Sequence, residues 1–145
     1  MSADASDLRA AVEAYRTRAA MGRWLDLSVE DDLFRLTFHE RHIGNPMIRA
    51  LHGGVISAFL ETCATLAVTA GTDTAVRTIS THINFLRGAV DRDMMARVQI
   101  ARRGRRIAFV EATGWQTDEA EPVARAAIAL RIFAAADAPA ASATP

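Results

Sequence analysis

Glu61 is the only charged residue in a long apolar run, and chemistry can be read there first. Val55, Ile56, Phe59, Leu60, Cys63, Ala64, Leu66, Ala67 and Val68 surround it, and at helical spacing they cover most of the circumference. A carboxylate in such a helix is costly unless something requires it. It suits a perturbed functional group, a base or a nucleophile. The structural alternative is an ion pair with an arginine across an interface. His52-Gly53-Gly54 opens the same run. The first amides of a helix are unpaired donors at the positive end of its dipole. Glycine lets a carbonyl come close, so the Gly53 amide, with Gly54 beside it, is a candidate oxyanion donor.

Gly54 to Ala70 predicts a helix of 17 residues, about 26 Å long. That is short for a membrane span, and Glu61 interrupts it. Thr65 lies one turn after Glu61 on the same face, placed to hold a water or orient the carboxylate, unless it only bonds back to the helix. His52 either fixes the turn or positions a bound carbonyl. Cys63 reads as a buried, inert thiol. Ser57 lacks the Gly-x-Ser-x-Gly setting of a serine nucleophile. His39 and His42 offer only two ligands in a loop, so no metal site is expected. Arg102, Arg103, Arg105 and Arg106 flank Gly104 at a hairpin tip, where they either grip phosphates or form a solvated charged turn.

The 145 residues fit one domain with a core of its own. Basic and acidic residues balance at 17 each, which gives no global attraction to nucleic acid or anionic lipid. Every basic residue is arginine, so lysine chemistry is excluded. One cysteine and no apolar leader at the N-terminus point to a cytoplasmic protein.

The elements that must position these groups follow from periodicity. Residues 5–20 predict a helix with Ser6 as N-cap and Leu8, Ala11, Val12 and Tyr15 on one face, ended by Met21-Gly22. Leu25–Val29 and Leu33–Phe38 alternate as a hairpin around Glu30-Asp31-Asp32. A loop through Gly44 and Pro46 leads to the long helix. Strands follow at 78–86, 95–102, 107–116 and 123–133, read as a meander. In the first of them Ile79, Thr81, Ile83 and Phe85 share one face, and Ser80, His82 and Asn84 the other. The expected class is α+β: an N-terminal helix (1–21), one domain of sheet and long helix (22–134), and a disordered Ala/Pro-rich tail (135–145).

Taken together, Asn45, the run His52-Gly53-Gly54 with an acid nine residues after the histidine, and the strand Thr78–Ala89 containing Phe85-Leu86-Arg87 resemble one family. It is the hotdog-fold acyl-CoA thioesterases, specifically the phenylacetate-degradation (PaaI-like) type. Three departures are visible: Glu61 where aspartate is commoner, a loop one residue longer between Asn45 and His52, and Gly88 where proline is usual. The resemblance implies a curled antiparallel sheet wrapped around one buried helix, and hydrolysis of an aryl or medium-chain acyl-CoA. Gly53 and Glu61 lie about 12 Å apart along one helix, too far to act on one carbonyl. The resemblance resolves this with a homodimer, in which Gly53, His52 and Asn45 of one chain meet Glu61 of the other as general base or nucleophile. It further implies a homotetramer as a dimer of dimers, no cofactor beyond the coenzyme A of the substrate, and phosphate contacts from the arginine hairpin or Arg87. Three other readings compete: a non-catalytic acyl-CoA-binding module, a hotdog dehydratase or hydratase, and nucleic-acid binding through the arginine hairpin, which the neutral net charge and the lack of stacking aromatics beside it weaken.

Overall fold

The long apolar helix is the centre of the computed structural model, which describes residues 3–140. Two helices precede the sheet, α1 (Ala5–Arg18) and α2 (Ala20–Trp24). The hairpin β1 (Leu27–Glu30) and β2 (Leu33–Leu36) comes next. A 3-10 turn at Glu40–His42 leads into a small two-stranded ribbon, β3 (Ile43–Asn45) and β4 (Ala50–Leu51). The central helix α3 (Gly53–Thr69) follows, and then four long strands: β5 (Thr74–Phe85), β6 (Met94–Arg103), β7 (Ile107–Trp115) and β8 (Ala124–Ala134).

α1 begins at Ala5, where the expected helix begins, but its cap is a different residue. Asp4, not Ser6, is its N-cap, because the Asp4 carboxylate accepts from the Ser6 amide at 2.8 Å. Ala19 turns extended and splits the expected single helix, so that α2 runs through Met21 and Gly22. Leu8 and Val12 are the buried members of the α1 face. Ala135–Asp137 make a 3-10 turn; residues 141–145 of the expected tail lie outside the described residues.

Six strands form one antiparallel sheet in the order β1-β2-β6-β7-β8-β5. The meander is therefore limited to β6, β7 and β8. β5 does not pair with β6, its successor in sequence. It crosses to the far side and pairs with β8, which leaves its other edge unpaired. The sheet's inner face packs on α3, whose Phe59, Leu60, Cys63, Ala64 and Val68 are fully buried.

One stripe of α3 escapes this wrapping. Ser57, Ala58, Glu61, Thr62, Thr65 and Thr69 are only half-buried, while Gly53 and Gly54 are exposed. The helix is thus not apolar all round. Its small and polar residues line a face that the described residues leave open, and this explains how Glu61 is tolerated with no ion pair among them.

Candidate active site

The start of α3 is built by the ribbon before it. The His52 amide donates to the His42 carbonyl at 2.9 Å, and the Leu51 amide to the Ala89 carbonyl at 3.1 Å. Arg49 pins the ribbon from outside, donating to Asp91 at 2.6 Å and to Glu40 at 2.5 Å. A methyl group on Gly44 would lie 2.7 Å from the His52 Cα, so only glycine lets these strands approach.

His52 is the N-cap of α3: its Nδ1 accepts from the Gly54 amide at 2.8 Å. In neutral imidazole that leaves the proton on Nε2, an outward-facing donor. The His52 carbonyl takes the Val55 and Ile56 amides. Gly54, Val55 and Ile56 are therefore satisfied, and Gly53 alone keeps an amide at this end with no partner among the described residues. This separates two glycines that the sequence treated together: Gly54 is occupied by His52, and Gly53 is the available donor. The Phe85 ring stands 3.6 Å from where a Gly53 Cβ would be.

At mid-helix, Glu61 is held by its own chain. Thr78 Oγ1 donates to Oε1 at 2.8 Å, and Thr81 Oγ1 donates to Oε2 at 3.0 Å. Neither threonine was foreseen as a site residue. Their spacing of three hides them, since strand residues three apart normally face opposite ways. Thr65 is not among the partners of Glu61. It lines a cleft of ≈ 540 Å³ together with Ala10, Ala11 and Ala14 of α1, Thr69 of α3 and Val76 of β5.

Other expected site residues are engaged elsewhere. The Asn45 side chain accepts from the Met47 amide at 3.0 Å and shapes its own loop. Arg103 does not face outward with its neighbours: it donates to the Val68 carbonyl at 2.5 Å and closes the C-terminal end of α3. Arg87 donates to the Pro122 carbonyl at 3.1 Å and sits 3.5 Å from Glu121. Arg102, Arg105 and Arg106 are exposed. Burial pushes the Cys63 thiol well above its usual range, as an inert thiol requires.

His39 and His42 serve structure. His39 Nε2 lies 2.7 Å from Asp26, and this contact holds the Asp26 carboxyl below its ordinary range. His42 is fully buried. Its Nε2 donates to the Trp24 carbonyl at 2.9 Å, and its Nδ1 accepts from the His39 amide at 3.2 Å. Burial lowers its pKa and keeps it neutral. Among the described residues no group of three or more His, Cys, Asp or Glu could hold a metal. No described helix is long and apolar enough to cross a membrane.

The thioesterase superfamily profile matches residues 49–123, which is 75 of the 145 residues. The chain belongs to the thioesterase superfamily. Its fold is the hotdog fold, as the resemblance in sequence implied. A solved protein of the thioesterase superfamily is 26% identical, with a TM-score of 0.77 over 87% of this chain and 98% of its own. The E. coli PaaI protein from the phenylacetic acid degradation operon gives 16% identity and a TM-score of 0.77, over 89% of this chain and 95% of that one. A Bacillus halodurans protein solved with CoA gives 18% identity and a TM-score of 0.70, over 88% and 87%. No curated protein matches by sequence.

Proposed function

We propose that this superfamily member hydrolyses an acyl-CoA thioester to a free acid and coenzyme A. The observation that carries the reading is α3 itself: a free Gly53 amide at its start, and a carboxylate at mid-length on an open stripe. Gly53 and Glu61 sit about 12 Å apart on one helix, so the site takes Gly53 from one chain and Glu61 from a second copy. The unpaired edge of β5 supports this pairing. Ile79, Phe85 and Leu86 on or beside it are exposed, and such an edge invites a further strand. Membership in the superfamily and the CoA bound by the Bacillus halodurans relative support the substrate class.

In this site the Gly53 amide donates to the thioester oxygen as it gains charge. The outward Nε2–H of His52 lies beside it and helps to orient the carbonyl. Glu61 acts in one of two ways: it takes a proton from water as the water attacks, or it attacks the carbonyl itself and is released by water. In both, the C–S bond breaks and the departing thiolate takes up a proton. The cleft beside Thr65 receives the acyl group; its ≈ 540 Å³ suits an aryl or medium-chain group. Thr65 offers a hydroxyl there for the attacking water. Asn45 supports the loop that carries His52. Contacts to the phosphates of coenzyme A fall to Arg105 and Arg106, which are exposed.

The test is coenzyme A release from a panel of aryl, short and medium acyl-CoAs, with Glu61→Gln beside the wild type. Turnover of at least one thioester that Glu61→Gln loses, while still assembling, supports the reading. Tight binding of acyl-CoA with no release by the wild type overturns it in favour of a binding module.

A further inference from the structure

We propose that Thr81 is a positioning residue for Glu61, brought into place by the β-bulge at Ile79. This rests on the hydrolytic role given to Glu61 above. The register of β5 against β8 carries it. Thr78 pairs with Leu130, and Ser80 pairs with Ala129, so Ile79 is the extra residue with no partner of its own. Directly opposed residues share a face. Leu130 and Ile128 are buried inward residues, and so their partners Thr78 and Thr81 point inward as well. Ser80 and His82 oppose Ala129 and Ala127 on the outer face.

Without the extra residue the alternation set by Thr78 would turn Ser80 and His82 inward and send Thr81 outside. The bulge reverses that choice. It places two hydroxyls on the two oxygens of one carboxylate, at 2.8 Å and 3.0 Å, both from the same strand. One donor would leave the carboxylate free to turn about its last bond. Two donors on different oxygens, both from β5, fix its plane and leave its remaining lone pairs for other partners. The Thr81 hydroxyl contacts the Glu61 carboxylate at 3.0 Å, so its effect passes through Glu61.

The experiment compares Thr81→Val, Thr81→Ser, Glu61→Gln and the double variant Glu61→Gln/Thr81→Val. Thr81→Val should lower kcat about 10- to 100-fold, as expected of a displaced reacting group, with KM and melting temperature unchanged. Thr81→Ser should restore most of the rate, and the double variant should be no slower than Glu61→Gln alone. A Thr81→Val enzyme with the wild-type kcat, while Glu61→Gln is inactive, overturns the inference and leaves the hydrolytic reading standing. Full activity in Glu61→Gln overturns the role given to Glu61 instead, and hydrolysis itself stands. Crystal structures of the wild type and Thr81→Val then decide on Thr81: a Glu61 carboxylate that swings away in the variant supports the inference, and one that stays in place overturns it.

Discussion

The two ends of α3 are finished in opposite ways. At the C-terminal end three of the last four carbonyls are taken, that of Leu66 by the Ala70 amide. Arg103 takes that of Val68, and the Thr72 amide and hydroxyl both take that of Thr69, the hydroxyl at 2.8 Å. At the N-terminal end the amides after Gly53 are satisfied by His52, and the Gly53 amide is left over. Both ends begin with the same surplus of unpaired backbone groups. One spends most of it on stability, with a part-buried arginine contact as the seal, and the other keeps a donor in reserve at an exposed glycine. The difference teaches that function on this helix is located by what is left unsatisfied.

The sharpest break of that contrast lies between the ends. Glu61→Gln keeps the size and both threonine contacts in reach but removes the base or nucleophile. Coenzyme A release should fall about 10²- to 10⁴-fold, measured at saturating acyl-CoA. Gly53→Pro addresses the reserved donor directly. Proline is tolerated at the first position of a helix, where no intrahelical bond is lost. His52 already has φ −66° and ψ 131°, which suit a residue before proline. The fold should survive with kcat lowered about 10²- to 10³-fold; a Gly53→Pro enzyme with the wild-type kcat would remove this amide from the mechanism.

Arg103→Met tests the sealed end. It should cost about 1–3 kcal/mol of stability for the lost charged hydrogen bond, seen in urea denaturation, while kcat per folded molecule stays the same. A loss of coenzyme A affinity with unchanged stability would reverse the assignment of the two ends. The smallest effect concerns the support of the open end, where the His42 carbonyl receives the His52 amide. Burial holds the His42 imidazole neutral in the fold, below its ordinary pKa of about 6.5. The unfolded chain therefore takes up the proton first, and stability should decline as pH falls below about 6.5. His42→Gln can make both hydrogen bonds without titrating, so its urea midpoint should stay flat across that window. An equal decline in His42→Gln would assign the loss elsewhere.

Much of this contrast can be read in the sequence, but not all. Glu61 is out of place in its apolar run, and His52-Gly53-Gly54 is a visible helix start. The hairpin, the long helix and the four later strands follow from periodicity alone. The bulge at Ile79 is hidden because Ile79, Thr81 and Ile83 alternate without a break, and only pairing with β8 reveals the extra residue. Four arginines near Gly104 look equivalent, and only the end of α3 selects Arg103. The placement of β5 at the sheet edge depends on pairing between distant segments, which local pattern does not record. The separate fates of Gly53 and Gly54 depend on the rotamer of one histidine.

The burial of Cys63 has a practical consequence for the assays themselves. It is the protein's only thiol, and it is fully enclosed within the folded chain. A colorimetric reagent that reports free sulfhydryls therefore sees released coenzyme A against a dark protein background. The same reagent doubles as a monitor of sample integrity: one equivalent of colour arising without substrate marks molecules that have opened at their centre.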